Sequence, residues 1–146
     1  MRRLPFKTLF IAALIIVSLA RTASAADYCF EQAGQMYGIS PQILWAIAKS
    51  ESHFNPRAVN WNKNGSYDYG VMQINSSWSK VMGPAAWNAL SNPCYNIKVG
   101  AWILSLCIRK YGYTWKAIGY YNSSIPDMQA QYEWNVWKNL PKIALR

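Results

Sequence analysis

The sequence predicts an α+β domain, mostly α-helical, with one small β-hairpin. Three observations predict it. Apolar residues recur at helical spacing over most of the chain beyond residue 26. Proline and glycine punctuate that pattern where helices start and stop: Pro41, Pro93 and Pro126 suit first helical positions, and Gly38 and Gly112 suit positions just past an end. Residues 57–75 instead are rich in Asn, Gly, Ser and Tyr, and Asn64-Gly65 among them is the strongest short hairpin signal. With 52% hydrophobic and only 14% charged residues over 146 positions, the chain has the composition of one folded domain and excludes disorder.

Residues 1–25 read as a signal peptide. Arg2, Arg3 and Lys7 form a positive start, Leu9 to Leu19 an apolar core, and Ala23-Ser24-Ala25 the small side chains a signal peptidase needs. The apolar run falls short of the roughly 20 residues that span a bilayer. Cleavage after Ala25 is expected, leaving residues 26–146 as a single exported domain without stable membrane insertion; an uncleaved anchor is the alternative. The residues before Cys29 do not form a lipobox, so lipidation is not expected. Loss of Arg2, Arg3, Lys7 and Arg21 lowers the formal charge of +9 by four, to about +5. That balance favours a polyanionic surface, and peptidoglycan, lipid headgroups and nucleic acid all qualify. The basic residues are scattered and no nucleic-acid-binding motif is present, so nucleic acid is not an expected partner.

A first helix spans Asp27 to Gly38. Ser40-Pro41 then supplies an N-cap and a proline at the first position of a helix running to about Ser52. Ile43, Ile47 and Glu51 fall at i, i+4 and i+8 of it, so Glu51 lies on the apolar stripe near the C-terminal end. The hairpin is expected from about Val59 to Met72. Helical signals resume at Asn75 to Val81 and at Pro84 to Leu90. Asn92-Pro93 opens the longest helix, to about Tyr111, apolar around most of its circumference and therefore central. Thr114 caps a short helix through Tyr120, and Pro126-Asp127 opens the last, to about Asn139. Trp45 and Trp102 fall inside apolar helical runs and read as core; Trp61, Tyr67 and Tyr69 in the hairpin read as candidates for lining a cleft.

Three cysteines follow the signal, an odd number for an oxidising compartment. Cys94 and Cys107 are 13 residues apart on one predicted helix. That is about 20 Å, against the roughly 7 Å limit for bridged Cα atoms. The pair is excluded if the helix forms. A Cys29–Cys94 disulfide is expected, with Cys107 a buried thiol.

Chemistry has few candidates. His53 is the only histidine, which leaves nothing for a multi-histidine metal site. Asn60, Asn62 and Asn64-Gly65 faintly resemble a calcium loop, but the first ligand is not Asp and the twelfth position is Val71. No cofactor or metal is expected. Glu51 is the informative residue. A carboxylate on an apolar stripe at the negative end of a helix is pushed towards its protonated form, the state a glycosidase acid needs. The alternative is a boundary glutamate pointing into solvent.

Three motifs carry further weight: Ser50-Glu51-Ser52-His53-Phe54-Asn55-Pro56, Asp68-Tyr69-Gly70-Val71-Met72-Gln73-Ile74-Asn75 and Ala117-Ile118-Gly119-Tyr120-Tyr121-Asn122. In this order and spacing they resemble the lysozyme-like soluble lytic transglycosylase family. The small exported members that accompany type III secretion, conjugation and type IV pilus systems are the most similar. The resemblance covers roughly residues 27 to 125. It implies a lysozyme-like fold with a cleft for alternating N-acetylglucosamine and N-acetylmuramic acid. It implies Glu51 as the catalytic acid beside Ser52, Gln73 and Asn75 along the cleft, and a Tyr121-Asn122 pair whose tyrosine hydroxyl bonds the glutamate. Tyr120 and Ser123-Ser124 depart from the third motif's usual Ala and Ala-Gly.

The stretch Asn62 to Gly70 is closer to the hairpin of animal-type lysozymes, in which Asp68 matches the second catalytic carboxylate. Two chemistries therefore compete. With Glu51 alone, the acid protonates the glycosidic oxygen and then deprotonates the muramyl 6-hydroxyl, closing a 1,6-anhydro ring. With Asp68 participating, water completes a hydrolysis. Asp68 could instead be a turn residue capping backbone amides. A rival of another class is a non-catalytic peptidoglycan-binding module of a secretion apparatus.

Overall fold

A computed structural model describes residues 28–142, so the signal peptide and the expected cleavage site lie outside the described residues. Among the described residues seven α-helices accompany a small sheet on one flank: α1 Phe30–Tyr37, α2 Pro41–Ser52, β1 Val59–Trp61, β2 Tyr67–Tyr69, β3 Ile74–Asn75, α3 Ser79–Met82, α4 Pro84–Asn88, α5 Pro93–Tyr111, α6 Trp115–Asn122 and α7 Pro126–Asn139. Short 3₁₀ turns at Ser76–Trp78 and Ala89–Ser91 flank α3 and α4.

The proline and glycine signals hold at most boundaries. Proline opens α2, α4, α5 and α7, and Gly38 closes α1 in the left-handed conformation with its N–H on the Gly34 carbonyl. Asn92 caps α5 by accepting from the Tyr95 N–H at 2.9 Å. Two expected caps differ. Ser40 turns its hydroxyl to Gln42 Oε1, and Thr114 turns its own back to the Tyr111 carbonyl, so neither caps its helix through the side chain. In both cases a competing local acceptor captures the hydroxyl. The first helix starts at Phe30, because Cys29 adopts a left-handed backbone (φ 44°) before it. The sixth runs two residues beyond Tyr120, to Asn122.

The predicted hairpin is the β1–β2 pair, antiparallel with Asn60 opposite Asp68. A third strand was not expected: β3 pairs with β2, setting Asn75 opposite Asp68. Only two residues long, it carries no alternation to read.

Helix α5 is the axis of the core. Ile97, Ala101 and Leu104 are fully buried, and Leu44, Ile47, Met72, Leu90 and Val136 close around them. Trp45 and Trp102 are half-buried and pack against that cluster. Gly100 lets the 70–73 loop approach: a Cβ there would lie 2.7 Å from Met72 Cβ. Cys29 and Cys94 are bridged, Cα atoms 5.4 Å apart, tying α1 to the start of α5. Cys107 is free and half-buried, less enclosed than expected, and burial pushes its thiol upward. Among the described residues no helix is long and apolar enough to cross a membrane.

Candidate active site

Glu51 is the next-to-last residue of α2. Beyond it the chain turns on two successive left-handed residues, His53 (φ 51°) and Phe54 (φ 64°). Phe54 drops into a cluster with Tyr28, Phe30 and Trp45. This turn carries the chain directly into the sheet, bringing the helix end and β2 to one groove of about 630 Å³. Glu51, Asp68, Gln73, Asn75, Tyr121 and Asn122 all line it. The sheet side also presents Asn62, Lys63 and Asn64, and the helical side Ile103, Ile125 and Met128.

The two carboxyls sit in unlike surroundings. Burial is the main reason the Glu51 carboxyl is raised from 4.5 to about 7; the Asp68 charge adds to the rise, and a hydrogen bond from Tyr132 opposes it. Near neutral pH Glu51 is therefore close to half protonated. Asp68 lies on half-exposed β2, where Asn62 Nδ2 donates to Oδ2 at 3.0 Å and Asn75 Nδ2 to Oδ1 at 2.7 Å. Its partners are side-chain amides rather than backbone amides, so it is not a turn cap.

The strand period explains which hairpin residues reach the groove. Asp68 faces it; its neighbours Tyr67 and Tyr69 point to the other face. Trp61, opposite Tyr67, packs on that ring at 5.0 Å, and Tyr67 meets Trp87 edge-on at 6.0 Å. The hairpin aromatics therefore do not line the groove. Trp78 does, braced edge-on by Trp102 at 5.1 Å.

Two expectations about individual residues are corrected. Tyr121 does not bond Glu51. Its hydroxyl donates to the Met72 carbonyl at 2.8 Å, an acceptor left outside any ladder because the chain turns left-handed at Gln73 (φ 48°). The phenol that reaches the glutamate is Tyr132 of α7, donating to Glu51 Oε1 at 2.5 Å. Burial, with the Glu51 charge beside it, holds each phenol well above its ordinary value, so both remain donors. Ser52 does not line the groove. Its hydroxyl donates to the Val71 carbonyl at 2.8 Å and accepts from the Asn55 N–H at 3.0 Å, stitching the end of α2 to the loop after β2.

Asn96, fully buried in α5, was also not singled out by sequence. Its Oδ1 accepts from the Met72 N–H at 2.8 Å, and its Nδ2 donates to the Tyr69 and Leu90 carbonyls. One amide thus satisfies three backbone groups of the strand, the loop and the helix approach. Gly70 (φ 80°) makes this possible, since a Cβ there would lie 2.2 Å from Asn96 Nδ2. A buried asparagine on an apolar helix face is the signal that could have marked it. Gln73 lines the groove while donating to the Gly70 carbonyl at 2.8 Å and accepting from Asn60 Nδ2 at 2.6 Å.

Chemically, the site combines a carboxyl able to give and retake a proton near pH 7, a second carboxylate, and an open polar trough. The described residues form no cluster of three or more His, Cys, Asp or Glu suited to a metal.

Comparison with known proteins agrees with this chemistry. Residues 28–138 match the family model described as the Transglycosylase SLT domain. The chain is similar to invasion protein IagB of Salmonella typhimurium, 37% identical over 137 residues, covering 89% of this chain and 86% of IagB. It is similar to protein IpgF of Shigella flexneri, 44% identical over 98 residues, covering 65% of this chain and 64% of IpgF. A peptidoglycan-binding-like protein of Escherichia coli O157:H7 is 33% identical over 131 residues, covering 83% of this chain and 77% of its own. The family match over most of the chain and the acid-bearing groove together make this chain a member of the SLT transglycosylase family, a peptidoglycan lytic transglycosylase.

Proposed function

We propose that this protein cleaves the β-1,4 bond between N-acetylmuramic acid and N-acetylglucosamine, with Glu51 as acid and then base, and releases a 1,6-anhydromuramic end. The observation that carries the reading is the desolvated Glu51 carboxyl facing the groove, with a pKa of about 7. Protonated Glu51 gives its proton to the glycosidic oxygen as the C1–O bond breaks, and the N-acetylglucosamine leaves as an alcohol. The carboxylate so formed takes the proton of the muramyl 6-hydroxyl, whose oxygen closes onto C1. No water is consumed. Asp68 offsets the positive charge that develops at C1. Tyr132 holds the glutamate in one rotamer, and Asn122 offers its amide to the acetamido groups and hydroxyls of the glycan. Gln73 and Asn75, whose amide hydrogens are taken by Gly70 and Ala58 and by Ser66 and Asp68, present only their side-chain oxygens as acceptors.

Asp68 itself favours a second reading. A second carboxylate, held by Asn62 and Asn75 in the same groove, is the equipment of a muramidase that admits water and leaves a reducing end. Mass spectrometry of the muropeptides released from purified sacculi separates the two. Anhydromuramic ends support the transglycosylase reading, and reducing muramic ends as the only product overturn it.

The protein is exported to the periplasm, and opens the wall locally where a cell-envelope machine assembles. The family resemblance raises type III secretion, conjugative and type IV pilus systems as that machine, and the chain is similar to a protein named for invasion. A purely glycan-binding role is disfavoured because binding alone has no use for a desolvated acid.

A further inference from the structure

Away from the catalytic groove, three tryptophans break the surface together. Trp115 at the start of α6 and Trp134 and Trp137 on α7 are 39%, 55% and 52% exposed. They line a hollow of about 300 Å³ with Ala130 and Glu133, roughly half the volume of the groove. The Trp134 and Trp137 rings stack at 4.7 Å and 15°, and the Lys138 ammonium lies 5.9 Å from the Trp134 ring centre. None of these residues serves the core or the proposed chemistry. Trp134 follows Tyr132 by two residues, so while Tyr132 points inward to Glu51, Trp134 points away.

We infer that this hollow is a second, non-catalytic glycan-holding site that seats an aminosugar unit of a peptidoglycan strand on the outer face of α6 and α7. Three features select that occupant. The indole surface that the Trp134–Trp137 stack leaves facing outward, together with Trp115, stacks on the C–H faces of a pyranose ring. A carboxylate set among them, Glu133, accepts hydrogen bonds from sugar hydroxyls. Balanced by the Lys138 charge, the same carboxylate leaves the patch without the net positive charge that draws an anionic bilayer, and it would be desolvated without a partner against an apolar protein face. Lys138 meets the carboxylates that peptide stems carry along the strand. Gly119 makes room for the arrangement: a Cβ there would lie 2.5 Å from Glu133 Oε1, so a side chain at 119 would push the carboxylate out. The inference rests on peptidoglycan being the substrate. Its consequence is that the protein holds the insoluble wall independently of the strand it is cutting.

The test uses the full chain and a Trp134→Ala/Trp137→Ala double variant, with Trp134→Phe as the conservative control. Co-sedimentation with purified sacculi and product release from them are compared with turnover of a soluble tetrasaccharide that fills only the groove. The double variant is expected to lose about tenfold in retention and release on sacculi while keeping tetrasaccharide turnover, with Trp134→Phe intermediate. Equal loss on both substrates means damage to the fold and overturns the site. Unchanged retention also overturns it, and in that case loss of self-association identifies a second copy as the occupant, and loss of binding to phosphatidylglycerol vesicles a membrane. Retention by the patch with no product from the unaltered protein would defeat the enzymatic reading and leave this one standing.

Discussion

The end of α2 and the middle of β2 each bring one carboxyl to the same groove, and the protein treats them differently. Glu51 is enclosed by helices, with a single phenol on it, and its proton is held up to about pH 7. Asp68 sits on a small, half-exposed sheet between two amides. One groove thus holds two carboxyls in unlike degrees of solvation, because a packed helix supplies one and a half-exposed sheet the other. The neighbours are tuned in opposite senses: the Asp68 charge raises Glu51, and the Tyr132 hydrogen bond lowers it.

Breaking the buried side has the largest expected effect. Glu51→Gln removes the transferable proton, and product release from sacculi should fall by about 10²- to 10⁴-fold. The same variant should be the more stable protein in alkali. Glu51 binds its proton more tightly when folded, about 7, than at its ordinary 4.5. Its contribution is therefore complete below about pH 4.5 and is lost as pH rises through 7, a swing of about 3 kcal/mol that glutamine abolishes. Thermal melts of both proteins from pH 4 to 9 read this directly; parallel curves would show that Glu51 is hydrated.

Breaking the sheet side comes next. Asp68→Asn should cost about tenfold to a hundredfold in rate by removing the charge opposite the developing cation. Because that charge raises Glu51, the alkaline limb of the pH–rate profile should move to lower pH. A loss of rate with an unmoved limb would separate the two carboxyls electrically. Tyr132→Phe is the smallest change and sharpens the contrast, since its rate cost should be only about threefold to tenfold. It removes the one influence that lowers Glu51, so the alkaline limb should move to higher pH, opposite to Asp68→Asn. The two shifts cancelling in the double variant would show that both act on one group.

Much of this was legible from residue order. Pro41 and the Ile43–Ile47 spacing set α2 and put Glu51 on its inner stripe; Asn64-Gly65 marked the hairpin and so the location of Asp68. The misjudged details are those a local pattern cannot carry. Ser40 and Thr114 are N-cap residue types whose hydroxyls found nearer acceptors. Strand β3 exists only because β2 offered it a free edge. The hairpin aromatics read as candidates for lining the cleft, although Asp68 between Tyr67 and Tyr69 dictates by alternation that neither shares its face.

By itself the sequence determined most helix boundaries and placed Glu51 on an apolar stripe, because caps, turns and stripes act between residues a few positions apart. Only the tertiary structure decided that Tyr132, 81 residues away, and not Tyr121, meets Glu51. That choice depends on how α7 lies against α2 and on which carbonyl the turn at Gln73 leaves exposed. Partners so distant in the chain are chosen by packing, and leave no local trace.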